Sequence, residues 1–94
     1  MSPPTKGGFL RQSGTGNKTA TGSGVIVSLN IGSAAATAVV TLRDGSSTGT
    51  ILFQYTAGAG NVASPSFYFG NLPFSSGVFL DVATAAADAT VVFA

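Results

Sequence analysis

Apolar and polar side chains alternate in short runs along most of the chain, and the runs are separated by glycine and small polar residues. Such alternation is the mark of half-buried β-strands. "GVIVSLNIG" (24–32) sets Val25, Val27, Leu29 and Ile31 on one face and Ile26, Ser28 and Asn30 on the other. "TAVVTLRDG" (37–45) points Ala38, Val40 and Leu42 inward and Val39, Thr41 and Arg43 outward. "TILFQYT" (50–56) groups Ile51, Phe53 and Tyr55 opposite Leu52 and Gln54. The intervening "DGSSTG" is turn chemistry, since Asp and Gly tolerate unusual backbone angles and Ser and Thr bond back to the main chain. These last two runs therefore predict a hairpin with a loop of moderate length.

The second half repeats the pattern. After "AGAGN" (57–61), read as a flexible link, "VASPSFYFG" (62–70) places Phe67 and Phe69 inward and Tyr68 outward. Pro65 has no amide hydrogen to donate, so it belongs at the start of that strand or on a sheet edge. "NLPFSSG" (71–77) reads as a turn. "GVFLDVA" (77–83) gives Val78, Leu80 and Val82 to the core and leaves Phe79 and Asp81 on the opposite face. "ATVVFA" (89–94) closes the chain with Val91 and Phe93 inward, and "GGFLRQS" (7–13) supplies one further strand. "GSAAATA" (32–38) and "ATAAADAT" (83–90) are too short to nucleate a helix and read as tight loops, with room for one helical turn. The expectation is an all-β chain, a single small β-sandwich of about seven or eight antiparallel strands. Residues 1–8 form an extended or flexible N-terminal arm, and residues 9–94 form the one domain.

The same alternation leaves an apolar residue on the nominally outer face of several strands: Ile26, Val39, Leu52, Tyr68, Phe79 and Val92. Single exposed apolar residues are ordinary on any protein, but a cluster of them marks a contact surface. Burying each gains about 1.5–3 kcal/mol, so the set offers on the order of 10 kcal/mol gross. Association costs roughly 4–15 kcal/mol in lost freedom and ordering. One patch meeting one patch is therefore marginal, whereas a ring of subunits or a repeating lattice holds. The candidate interface is Ile26, Val39, Leu52, Tyr68 and Phe79, with Arg43 and Asp81 at its rim or paired with each other. Pro3, Pro4 and Lys6 of the arm would lie along a neighbouring subunit.

Composition sharpens this reading. The chain has 94 residues, 45% of them hydrophobic and only 7% charged, against about 25% charged in an ordinary soluble domain. A net charge of +1 gives no electrostatic reason to expect nucleic acid or an anionic membrane as partner. So thin a coat of charge also leaves little repulsion against self-association. "MSPPTKGG" lacks the apolar core of a secretory signal, and no run approaches the roughly 18 apolar residues that span a bilayer. The expectation is a protein that does not cross the secretory membrane on its own signal.

Candidate chemistry is thin. Cysteine and histidine are absent and there are three carboxylates, Asp44, Asp81 and Asp88. Pairing Lys6 or Lys18 with a serine nucleophile has no supporting context, and nothing places Asp81 and Asp88 together at a cleft as a glycosidase pair would require. The usual transition-metal ligands are missing, and acids near Asp44 or Asp88 lack the regular spacing of a calcium loop. "GTGNKT" (14–19) has Asn17 where a phosphate loop needs glycine before the lysine, and reads as a glycine-rich loop. No enzyme activity, cofactor or metal is expected.

Three stretches, "ATAVVTLRDGSSTGTILFQY", the "LPF-x-x-G" turn at Leu72–Gly77 and "GVFLDVATAAADATVVFA", give residues 20–94 the texture of a known class. In them the chain resembles the small, nearly uncharged β-sandwich virion proteins of tailed bacteriophages, of the head decoration (cement) type. The resemblance implies a jelly-roll-like fold and a homo-oligomer, typically a trimer, bound to the major capsid protein on the outer capsid surface after assembly in the host cytoplasm. It implies a structural role with no nucleic acid and no membrane as partner. Two other readings stay open: a tail or fibre-associated structural module, and a virion-surface glycan-binding module with Tyr55 or Tyr68 as its stacking platform.

Overall fold

A computed structural model describes residues 7–34, 37–57 and 66–94. Eight strands follow one another: β1 (Gly8–Ser13), β2 (Gly16–Thr21), β3 (Gly24–Ala34), β4 (Ala38–Asp44), β5 (Ile51–Ala57), β6 (Ser66–Phe74), β7 (Gly77–Ala83) and β8 (Ala87–Phe93). No helix occurs among the described residues. Two four-stranded antiparallel sheets form, in the orders β1-β8-β3-β6 and β2-β7-β4-β5.

The order has a simple origin. β4 pairs with β5, β3 with β6, β2 with β7 and β1 with β8, as though one long hairpin were closed at the β4–β5 turn. Folding that hairpin over sends alternate pairs to opposite sheets, and the additional pairs β3·β8 and β4·β7 complete them. This is the jelly roll, a β-sandwich whose two sheets share one core.

Cross-strand register sorts the side chains into rows. In the first sheet, Leu10, Val91, Leu29 and Phe67 form one inward row, and Gly8, Phe93, Ile26 and Leu72 another. In the second, Gly16, Val82, Val40 and Tyr55 face inward together, as do Lys18, Leu80, Leu42 and Phe53. The middle members of these rows are the buried core, with Phe74 and Phe93 meeting edge to face at 6.2 Å.

Ile26 belongs to this core and is 0% exposed, which corrects its expected outward position. The register of β3 shifts between Ile26 and Ser28 against both neighbouring strands. Val27 is the extra residue of a β-bulge, so Ile26 before it and Leu29 after it both point inward. The partner side of the shift is longer: Phe69, Gly70 and Asn71 stand opposite Val27, and Gly70 takes φ 74°, which a glycine adopts without steric penalty. A second shift, between Leu42 and Arg43, leaves Leu52 unpaired. Leu52 is partly buried against the core, a second correction, and Ile51 turns outward in its place.

Four segments read as loops or turns belong at least partly to strands, for β3 runs on to Ala34 and β8 begins at Ala87, inside the two alanine-rich pieces. β2 takes in most of "GTGNKT", and β6 continues through Asn71–Phe74, so the turn before β7 is only Ser75 and Ser76. Gln12 and Asp44 hold the corners. Buried Gln12 directs its Nε2 at the carbonyls of Ser13, Gly14 and Thr15, 3.1–3.4 Å away, where the chain leaves one sheet for the other. The Asp44 carboxylate, at the end of β4, accepts the Ser75 amide and hydroxyl at 3.0 Å each, the Ser76 amide at 2.8 Å and the Gly77 amide at 3.3 Å.

Candidate functional site

The surfaces left exposed follow from the same rows. On the outside of the first sheet, register aligns Phe9, Val92, Ser28 and Tyr68 straight across all four strands. Phe9 is 66% exposed and Tyr68 81%. β1 and β6 are the sheet's edges, so the two rings stand three strand spacings apart, about 14 Å. Beside this row runs a polar one, Arg11, Thr90, Asn30 and Ser66. Arg11 donates to the Asp88 carboxylate at 3.1 Å in an exposed ion pair, a contact worth little to stability.

The outside of the second sheet is different. Its central row is Thr19, Phe79, Arg43 and Ile51, and the next is Asn17, Asp81, Thr41 and Gln54. Phe79 does lie on this outer face, yet it is only 8% exposed and stands apart from the main core cluster. On a broad sheet an inner-strand ring is flanked on both sides, here by Thr19 and Arg43, and most of its surface is screened within its own subunit. Phe79 therefore offers no free ring, which corrects its expected role as an exposed docking residue. Gln54 donates to the Thr41 hydroxyl at 3.0 Å, and Thr41 is buried beneath it. Arg43 Nη1 donates to the Gly49 carbonyl at 3.0 Å. The structure forms no Arg43–Asp81 ion pair among the described residues. Val39 and Asp81 are half-buried.

The predicted set is thus dispersed. Ile26 lies in the core, Leu52 against it, and Phe79 under its neighbours; Val39, Arg43 and Asp81 share the second sheet's outer face. Tyr68 stands on the first sheet. Pro3, Pro4 and Lys6 lie outside the described residues. The outward set did not include Phe9, because no face was assigned within "GGFLRQS", or Ile51, because a bulge reverses its face.

A third feature joins the two sheets along one flank. Phe53 and Tyr55 of β5 meet Phe67 and Phe69 of β6, with ring centroids 4.9 Å apart for Phe53–Phe67, 5.0 Å for Phe53–Phe69 and 5.1 Å for Tyr55–Phe67. All four are partly buried and packed against the core. Tyr55 is thereby committed to this wall, and of the two tyrosines only Tyr68 presents a free ring.

The fold perturbs the ionisation of Asp44. Its burial pushes the pKa up, but the Ser75, Ser76 and Gly77 donors outweigh that effect and hold it below the usual carboxylate value. No group of three or more metal-ligating side chains occurs among the described residues. No protein-family model matches the chain, and comparison with curated proteins finds no match.

Proposed function

We propose that the chain is a non-enzymatic structural protein of a virion, a capsid decoration (cement) protein that binds the outer capsid surface as a symmetric oligomer. The observation that carries this reading is the pair of exposed rings, Phe9 and Tyr68, in one row with half-buried Val92 across one face of a nearly uncharged jelly roll. Jelly rolls recur among capsid proteins, although fold alone does not assign function. Binding would be mechanical: apolar side chains on a rigid sheet dock on the capsid, and separating capsid subunits then requires breaking these contacts as well. Phe9 and Tyr68 together offer only about 3–6 kcal/mol gross, which does not exceed the cost of ordering one small subunit on a surface. Attachment at several points from one oligomer supplies the remainder through effective concentration.

Co-sedimentation with bare capsids of the encoding virus tests the proposal. Wild type is expected to pellet with capsids, and Phe9→Ser with Tyr68→Ser to remain in the supernatant while still folded. Wild type failing to pellet, or the double variant pelleting equally well, would overturn it. Binding to purified tails instead of capsids would favour the tail-module reading. Tyr68 lies beside Ser28, Asn30 and Ser66, an aromatic platform with polar neighbours that also keeps a glycan-binding reading in view; a glycan array without hits removes it.

A further inference from the structure

We infer that copies of this chain bind one another through the flank formed by β5 and β6. The inference deepens the proposed function and takes from it only the symmetric oligomer. It starts from a difference between the two flanks of the sandwich.

At one flank, β1 and β2 pack against each other, and the corner between them is clipped by Gln12. Each of these edge strands carries a cation. Arg11 is on β1, and Lys18 occupies an inward register position on β2 yet remains exposed. An inward-pointing charge on an edge strand is a recognised obstacle to the approach of another strand.

The opposite flank has no such obstacle. No charged residue lies anywhere between Asp44 and Asp81 in the sequence, a stretch that includes the whole of β5 and β6. The aromatic wall of Phe53, Tyr55, Phe67 and Phe69 faces out from between the two sheets and is only partly covered. Ile51, 46% exposed, adds an apolar side chain on the outer face of the same edge strand.

The occupant follows from symmetry. In a two-fold contact between identical copies, a surface charge near the axis faces its own duplicate, so the centre of such a patch favours uncharged side chains. This flank meets that condition and the β1/β2 flank does not. Its size is also adequate. β6 runs about 30 Å at 3.3 Å per residue, and the molecule is 17 Å across its thinnest dimension. The flank is therefore roughly 500 Å² per copy, and a pair would bury about 1,000 Å², the lower limit for a specific interface.

Sedimentation velocity over a concentration series tests this, on wild type, on Ile51→Lys with Ser66→Lys, and on Asn17→Lys at the opposite flank. Wild type is expected to sediment as a dimer of the 9.2 kDa chain, or as a multiple of that dimer. The double lysine variant should dissociate at least about tenfold more readily, because each new charge meets its duplicate, and Asn17→Lys should behave as wild type. Circular dichroism checks folding of each variant. Hydrogen exchange on wild type gives a readout free of substitutions: protection at residues 51–57 and 66–69 should rise with concentration. A monomer throughout the series, unchanged association of the double variant, or concentration-independent exchange would overturn the inference. The capsid reading fails separately, if oligomers form but do not co-sediment.

Discussion

Replacing Asp44 with asparagine removes a charge while keeping nearly the same shape, and it isolates the clip that joins the end of β4 to the β6–β7 turn. The carboxylate accepts three amides and a hydroxyl from residues more than thirty positions away in the chain, the shortest bond being Ser76 N to Oδ1 at 2.8 Å. Asparagine keeps one acceptor oxygen and turns an amide donor toward donors already present. Hydrogen bonds to a charged group contribute about 1.5–3 kcal/mol each when buried. Here water can replace several of them and screens the charge, so the net loss is placed at about 1–2 kcal/mol. In a domain of this size that lowers the melting temperature by about 4–16 °C. The pH dependence follows from the depressed pKa. Stability contributed by Asp44 is present in full above the unfolded-state value near pH 4 and disappears as pH falls through the lower folded-state value. The gap between wild type and Asp44→Asn should therefore be widest at neutral pH and should shrink as pH falls below about 4. Thermal melts of both proteins across this range measure it. Equal melting temperatures at neutral pH, or a gap that persists unchanged in acid, would refute the reasoning.

Other substitutions separate folding from contact. Ile26→Ala should lower stability by about 2–5 kcal/mol in denaturant unfolding, as for a fully buried aliphatic side chain; a loss below 1 kcal/mol would contradict its place in the core. Gln12→Ala should lose about 1–2 kcal/mol by the same assay, since it withdraws the donor from three corner carbonyls. Gly49→Ala places a methyl group against the Asp44 carbonyl and should cost about 1–3 kcal/mol through forced backbone movement. Tyr68→Ser should leave the melting temperature within a few degrees of wild type, and a large drop would show that the ring holds the subunit together.

The parts of the fold legible in the sequence are those where alternation runs without interruption. In β4, β7 and β8 the inward sets Ala38, Val40 and Leu42, then Val78, Leu80 and Val82, then Val91 and Phe93 are all buried as their spacing predicts. Elsewhere a single extra residue reversed the reading. Val27 shifts β3 by one position and exchanges the faces of Val25 and Ile26, and Leu52 does the same to Ile51. No local property of "GVIV" or "TILF" reveals a bulge, because the partner strand imposes it. β2 escaped notice for a different reason. It is a polar edge strand whose sequence, GNKTAT, gives the core only Ala20.

The surface was less legible than the core, because exposure depends on lateral neighbours as well as on the face a residue occupies. Phe79 and Tyr68 both lie on outer faces. Phe79 sits mid-sheet between Thr19 and Arg43 and is screened, whereas Tyr68 sits on an edge strand and is open. Alternation supplies the face and not the position within the sheet, which only the long-range pairing of a jelly roll determines. The charge-free span between Asp44 and Asp81 was visible from the start, but its meaning appears only when β5 and β6 are found along the same flank.

Cryo-electron microscopy of bare capsids incubated with the purified protein tests the proposed role most directly. The expected result is ordered density on the outer capsid surface, with the β1-β8-β3-β6 sheet turned toward the capsid and Phe9 and Tyr68 in the contact. Undecorated capsids at saturating protein, or density in which that sheet faces solvent, would contradict it.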